Sequence, residues 1–405
     1  MKIENKYTLP FNIFKTQNYF VEIYSLSYVF LPIMKFIANT TSLVEHLQKI
    51  SGTLVSKPTL PIIENFLFTI DKNNLSITST DLETSMTTNM TIESDGKISV
   101  AVPSRLTIET LRSLPNQPVT FTIDEKTFQV QIQSEFGNYK LAGQPGKDFP
   151  KLPETESESS FSIPSETLQN CIAKTIFATG NDELRLNLTG VFVELEDDKI
   201  TFVATDANRL VKVERNDVKP GVKHNFILPK KALNLLKSSL MGASVPVQID
   251  YNRSNAFFSF GDTKLVCRFI DEKYPDYNAV IPQENPNVLI INREDLYNSV
   301  KRISIYSNKS THQIRLKLAG SEMSISAEDF DLSNEAIEKI ACDYSGEDIE
   351  IGFNSKLLLE LLGSLDIDVV RFEMSTPNRA GIILPNEKVK EEAMLMLIMP
   401  MMLNN

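Results

Sequence analysis

The chain has 405 residues and a formal net charge of −11, with 42% hydrophobic and 23% charged residues, the balance of a soluble globular protein. Its cysteines (Cys171, Cys267, Cys342) are too few and too far apart for a disulfide framework or a zinc site. Three histidines (His46, His224, His312) leave little room for imidazole chemistry, and no run of about 18 apolar residues predicts a membrane span.

Residues 1–33 are aromatic and irregular. Their apolar stretch Tyr24-Ser25-Leu26-Ser27-Tyr28-Val29-Phe30-Leu31-Pro32-Ile33 is short and lacks an A-x-A site, so the segment reads as an extension outside the fold. The organised pattern begins at Met34. Residues 34–38 read as a strand, and Thr40-Thr41-Ser42 as the cap of a helix with Leu43, Leu47, Ile50 and Leu54 on one face. After the break at Lys57-Pro58-Thr59-Leu60-Pro61 come strands near 65–70 and 75–80, then a second helix. A hairpin follows, in which Val119, Phe121 and Ile123 alternate as Phe128, Val130 and Ile132 do.

The second helix opens on a stretch that occurs three times: Val102-Pro103-Ser104-Arg105, Leu228-Pro229-Lys230-Lys231 and Phe353-Asn354-Ser355-Lys356. Each copy has a basic residue two places after the Pro or Asn (Arg105, Lys231, Lys356) and Ser-Leu near its end. The spacing is 126 and then 125 residues, so the chain is expected to be a threefold repeat. The second copy follows the acidic linker Glu154–Ser160 and predicts a helix over 165–178, strands at 190–196 and 199–204, the lysine-rich second helix and a hairpin. The third predicts a helix over 293–305, strands at 313–318 and 321–326, and a leucine-rich second helix. Phe149-Pro150, Tyr274-Pro275 and Met399-Pro400 recur 125 residues apart as the ends of the copies. Thr80-Asp81, Thr205-Asp206 and Ala327-Glu328 are read as a smaller echo after a strand. The expected fold class is α+β: three tandem similar domains, 34–158, 159–286 and 287–405, each with two helices packed on antiparallel sheets.

The six helical stretches hold eleven basic and seven acidic residues, net +4, leaving −15 for the rest of the chain. Helices gathered on one side make a mildly basic surface within an acidic body, suited to phosphates. The same cations equally fit plain solvation of helix faces.

These residues carry a resemblance. With Lys57-Pro58-Thr59-Leu60-Pro61-Ile62, Thr80-Asp81-Leu82-Glu83, Val203-Ala204-Thr205-Asp206-Ala207-Asn208-Arg209-Leu210, Tyr274-Pro275-Asp276-Tyr277 and Leu397-Ile398-Met399-Pro400-Met401 in this order, the chain from Met34 onward resembles the bacterial sliding clamp, the beta subunit of DNA polymerase III. The resemblance implies a head-to-tail homodimer forming a clamp ring around double-stranded DNA, cytoplasmic and non-catalytic, with no cofactor or metal. It implies docking of the polymerase III alpha subunit, the clamp-loader delta subunit and other clamp-motif proteins. The implied pocket is Leu188, Thr205, Ala207, Asn208, Arg209 and Leu210, with Pro275, Val280, Gly381, Leu397, Ile398, Met399, Pro400, Met401 and Leu403. The four methionines of the tail suit an adaptable surface better than a last core strand. Ala207-Asn208 stand where the family often has Gly-His. The implied DNA-facing residues are Lys57 and Arg185 on loops, with Arg105, Arg112, Lys174, Lys230, Lys231, Lys237, Lys301, Arg302 and Lys356 on the helices. At the ring joint, Tyr139 and Leu141 are expected to meet Ile305 and Tyr306 of a second copy.

Two other readings stay open on the residues. Thr80-Asp81 and Thr205-Asp206 are placed as carboxylates at strand ends would be in a metal-dependent enzyme, but Ala327-Glu328 breaks that pattern and no phosphate loop or nucleophile motif accompanies it. A repeat-built peptide-binding scaffold without a DNA role fits the repeats as well.

Overall fold

The computed structural model describes residues 33–94, 96–154 and 159–403. All of the expected N-terminal extension but Ile33 lies outside the described residues, as do Asn404 and Asn405 and most of the Glu154–Ser160 linker. Within the described residues there are six α-helices: α1 Thr40–Ile50, α2 Ser104–Arg112, α3 Ser165–Thr175, α4 Lys230–Ser239, α5 Arg293–Ser304 and α6 Ser355–Gly363. They pack in pairs, α1 on α2, α3 on α4 and α5 on α6, one pair per repeat.

Apolar spacing decides which face each helix buries. Leu43, Leu47 and Ile50 of α1 are buried, as are Leu358, Leu361 and Leu362 of α6. The cap of α1 differs from the expected one. Asn39, the last strand residue, accepts from the amides of Thr41 and Ser42, so the Asn rather than the Thr-Thr-Ser run supplies the acceptor. Leu54 falls beyond the helix, after a 3₁₀ turn over Ser51–Thr53.

The strands form four sheets, every pairing antiparallel. One four-stranded sheet runs Ile33–Asn39, Pro118–Asp124, Gln129–Gln133, Asn138–Ala142. At the other end of the chain another runs Asn334–Ala341, Glu322–Asp329, Gln313–Ala319, Ile349–Asn354. Between them lie two nine-stranded sheets, each shared by two repeats. In the first, Thr263–Arg268 of the second repeat pairs with Thr84–Thr91 of the first, Cys267 opposite Thr84. In the second, Glu392–Ile398 of the third repeat pairs with Arg209–Arg215 of the second, Ile398 opposite Arg209. Buried side chains form a continuous core through all three repeats. In the first repeat, Phe36 stacks on Phe121 at 4.5 Å and Phe68 meets Phe121 at 6.3 Å, joining its two sheets.

The two joints are built alike. Just past the paired strand, the Arg268 amide donates to the Glu83 carbonyl (2.9 Å), and the Met399 amide donates to the Asn208 carbonyl (2.8 Å). Met399 therefore stands where Arg268 stands, and Met399-Pro400 is not the counterpart of Tyr274-Pro275. The hairpin turns of the third repeat, 375–380 and 386–391, are longer than 252–254 and 261–262, and the 125-residue spacing at that point is coincidental.

The acidic echo is likewise one residue off in its third copy. The Asp81 carboxylate accepts from the amides of Glu83 and Thr84, and that of Asp206 from Asn208 and Arg209. In the third repeat it is buried Asp329 that accepts from the Asp331 amide, while Ala327 and Glu328 lie inside the strand. These carboxylates hold turns.

The helices of neighbouring repeats touch. A Cβ on Gly52 would sit 2.3 Å from Leu235 of α4. Arg209, at the second joint, ties the carbonyl of Phe177 just after α3 to Glu360 of α6. The three helix pairs thus adjoin in one row.

Candidate functional site

The joint between the second and third repeats gathers most of the expected pocket residues by strand register. Thr205 lies opposite Leu210, Leu210 opposite Leu397, and Arg209 and Gly381 both face Ile398. The turn between the paired strands needs Ala207 at φ +76°, a left-handed conformation that favours glycine. Leu210 and Leu397 are buried in a small apolar cluster on the outer side of the sheet, with Phe192, Val203, Ile227, Tyr274, Tyr277 and Ala380. Tyr274 stacks on Phe192 at 4.6 Å, and the Tyr277 hydroxyl donates to Glu194 at 2.8 Å. This fixes the segment carrying Pro275 and Val280, both exposed, over the cluster. The two tyrosines are part of the quoted Tyr-Pro-Asp-Tyr motif, but their stacking role has no periodic signal in the sequence. Beside the cluster a cavity of about 440 Å3 is lined by Phe192, Phe226, Ile227, Phe269 and Tyr274 among others.

Arg209 is the structural centre of this joint. Its Nε donates to Asp206 (3.1 Å), Nη1 to Glu360 (2.6 Å) and Nη2 to the Phe177 carbonyl (2.8 Å), and it lies 5.1 Å from the Phe177 ring. Its charge is satisfied from three elements, so it shapes the site instead of reaching into it. Leu188 is buried in a single 3₁₀ turn, its carbonyl accepting from the Gly180 amide at 2.7 Å.

The tail divides. Met396, Leu397 and Ile398 belong to the paired strand and are buried, as a core strand is, so the methionine-rich composition misleads for this part. Past Ile398 the chain emerges, with Met399 41% and Met402 78% exposed. It then leaves the cluster. The Met401 amide donates to the Gly352 carbonyl (2.8 Å), where a Cβ on Gly352 would sit 2.6 Å from the Met401 oxygen. Leu403 lines a separate cavity of about 240 Å3 with Ile314, Ala327 and Phe330.

The basic residues expected on the loops and the helix row fall into three sets. Five are ion-paired: Arg105 with Glu109, Lys174 with Glu392, Arg185 with Asp182, Lys231 with Asp81, and Arg302 with Glu338. Lys231 to Asp81 (2.5 Å) crosses the first joint, and Lys174 to Glu392 (2.5 Å) crosses the second. These two hold repeats together, a role the sequence does not show because the partner is 150 or 218 residues away. Lys230 donates to Asn181. Among the described residues, no carboxylate lies within 4.0 Å of Lys57, Arg112, Lys237, Lys301 or Lys356.

Burial works against ionised thiols in the core. Burial pushes the Cys171 and Cys267 thiols up to about 12. Among the described residues, no cluster of three or more metal-ligating side chains occurs, and no helix is long and apolar enough to cross a membrane.

Of the expected ring-joint residues, Leu141 is buried and Tyr139 half-buried on the outer strand Asn138–Ala142, while Ile305 and Tyr306 are exposed just after α5.

Comparison with known proteins accounts for nearly all of the described chain. Residues 34–153 match the family model of the DNA polymerase III beta subunit N-terminal domain, 162–276 that of its central domain and 278–402 that of its C-terminal domain. The chain is 31% identical over 371 residues to the beta sliding clamp of Vibrio cholerae, covering 91% of this chain and 100% of that protein. It is 29% identical over 371 residues to the beta sliding clamp of Escherichia coli, with the same coverage. Among solved structures, a sliding clamp from Pseudomonas aeruginosa bound to griselimycin superposes with a TM-score of 0.86 at 27% identity, covering 91% of this chain and 100% of that one.

Proposed function

Because the chain belongs to the bacterial DNA polymerase III beta subunit family, we propose that it is a sliding clamp whose two copies close head to tail around duplex DNA and tether polymerase and repair proteins through the pocket between its second and third repeats. It is non-catalytic and works in the cytoplasm, needing no metal or cofactor.

The observation that carries this reading is the pair of internal joints, which together specify a third. Each joint pairs the last strand of one repeat with the strand after the acidic turn of the repeat before it. Two strands of these kinds are left as edges of the four-stranded sheets: Asn138–Ala142 of the first repeat and Asn334–Ala341 of the third. Open strand edges invite pairing. Transferring the internal register sets Leu141 opposite Asn334 of a second copy, Lys140 opposite Glu335 and Tyr139 opposite Ala336. The helix ties repeat as well. Lys49 of α1 meets Asp262 across the first joint, and Lys174 of α3 meets Glu392 across the second. The third such position is Arg302 of α5, and the matching turn of the first repeat offers Glu135, next to exposed Phe136. Ile305 and Tyr306 lie close by in sequence, in keeping with a joint there. Two third joints close a ring of six repeats with the helix row inward.

Enclosure suits weak phosphate attraction, since tight base readout would halt sliding. The cations without a carboxylate partner, Lys57, Arg112, Lys237, Lys301 and Lys356, supply it. The pocket reading has its support in the apolar floor of Leu210 and Leu397 and in exposed Met399 beside it.

The experiment is retention on DNA circles. The assembled clamp is expected to stay on a nicked circle and to leave once the circle is cut to a linear form. Release at equal rates from both would refute enclosure. Replacing Lys237, Lys301 and Lys356 by Glu should shorten residence at low salt and flatten its salt dependence.

A further inference from the structure

We infer that the joint between the first and second repeats is a second docking pocket, and that it takes an acidic, extended stretch of the same partner polypeptides whose apolar motif seats between the second and third. This rests on the pocket reading above.

The two joints share their backbone. Thr80-Asp81-Leu82-Glu83 folds as Thr205-Asp206-Ala207-Asn208 does, with Leu82 at φ +82° matching Ala207 at +76°. Pro150 lies on the rim here as Pro275 does there. Between them the first joint encloses a cavity of about 240 Å3. Its side chains differ in kind. By register, Ser85 takes the place of Leu210, Val266 that of Leu397, and Arg268 that of Met399. Leu82, Leu152 and Val266 remain as the apolar part. Lys151 and Arg268 also line the cavity, and among the described residues neither has a carboxylate within 4.0 Å. Among the described residues, Glu83 is the one acid in the lining. An apolar side chain flanked by carboxylates is the occupant this wall fits.

Continuity names the source of that occupant. The cavity shares Ser254 and Arg268 with the 440 Å3 cavity, which reaches Phe192, Ile227 and Tyr274 of the apolar cluster under the partner pocket. From the strand of Leu397 to that of Ile227 there are four strand spacings, about 19 Å. About six extended residues cover that distance. A partner segment leaving the apolar pocket thus reaches the 440 Å3 cavity, whose wall includes the Arg268 that also lines the basic one.

The test uses the full chain carrying labelled leucine and valine methyls, titrated with a dodecapeptide of alternating Glu and Leu that lacks any anchor motif. Shifts of the Leu82, Leu152 and Val266 methyls are expected, with affinity about tenfold weaker in the Arg268→Glu, Lys151→Glu variant. Silent methyls, or equal affinity in the variant, overturn the inference. Joined to an apolar anchor peptide, the same stretch should add about tenfold to its affinity, a gain absent in the variant while the bare anchor binds both chains alike. If the bare anchor fails to bind the unaltered chain, the pocket reading falls by itself, and the methyl shifts still decide the acidic site.

Discussion

Replacing Glu392 by Ala should unlock the joint between the second and third repeats. Glu392 is 4% exposed and takes Lys174 Nζ at 2.5 Å and Arg215 Nη1 at 3.1 Å, both from the second repeat. Those cations are only 23% and 15% exposed, so truncation strands positive charge away from water. Breaking a buried pair by removing one partner costs about 3–5 kcal/mol. Arg215 keeps Asp217 at 2.7 Å, which places the effect near about 3 kcal/mol. With a urea dependence of about 3 kcal/mol per molar, the midpoint falls by about 1 M. Circular dichroism across a urea series measures it, and Glu392→Gln, which keeps the shape and one acceptor, should fall between. A midpoint moved by less than about 0.3 M would show that the cluster does not hold the repeats together.

Arg302→Glu should weaken self-association measured by sedimentation, and adding Glu135→Arg should restore it; absence of rescue would exclude their meeting across the ring joint. Thr88 has a buried hydroxyl with no hydrogen-bond partner, where the matching residue of the second repeat is Val213, so Thr88→Val should stabilise the fold by about 1 kcal/mol in the same urea assay. Acid should loosen the assembly. Burial raises the Asp262 carboxyl, but hydrogen bonds from Thr263 and Lys49 outweigh it and hold it below its ordinary 3.8; Arg215 lowers Asp217 and Arg302 lowers Glu338. Groups lowered in this way contribute stability above the ordinary carboxylate range and lose it as pH falls through their folded values. The melting temperature should therefore drop once pH passes below about 4, and a flat profile to pH 3 would count against these pairs.

Local order was largely readable. Leu43, Leu47 and Ile50 announced α1, and Val119, Phe121 and Ile123 a half-buried strand, because periodicity is a property of neighbouring residues. The fusion of sheets was not, since nothing near Thr84 points to Cys267, 183 positions away. Asp329 is not legible as the third acid because Glu328 precedes it, so the Thr-Asp pair of the first two copies has no counterpart. Met396 looked like surface and is core, because composition cannot tell which residues of a tail pair with a strand from another repeat. Lys174 looked like an outward cation for the same reason.

The strands that lead into the three kinds of joint differ in length: seven residues over Glu392–Ile398, six over Thr263–Arg268, five over Asn138–Ala142. Only the shortest is left without a covalent link to its neighbour, and among the described residues it has no buried carboxylate like Glu392 beside it. In the proposed ring, a circle that must admit a duplex has to part somewhere, and the joint with the shortest strand and no covalent link is the one expected to yield first.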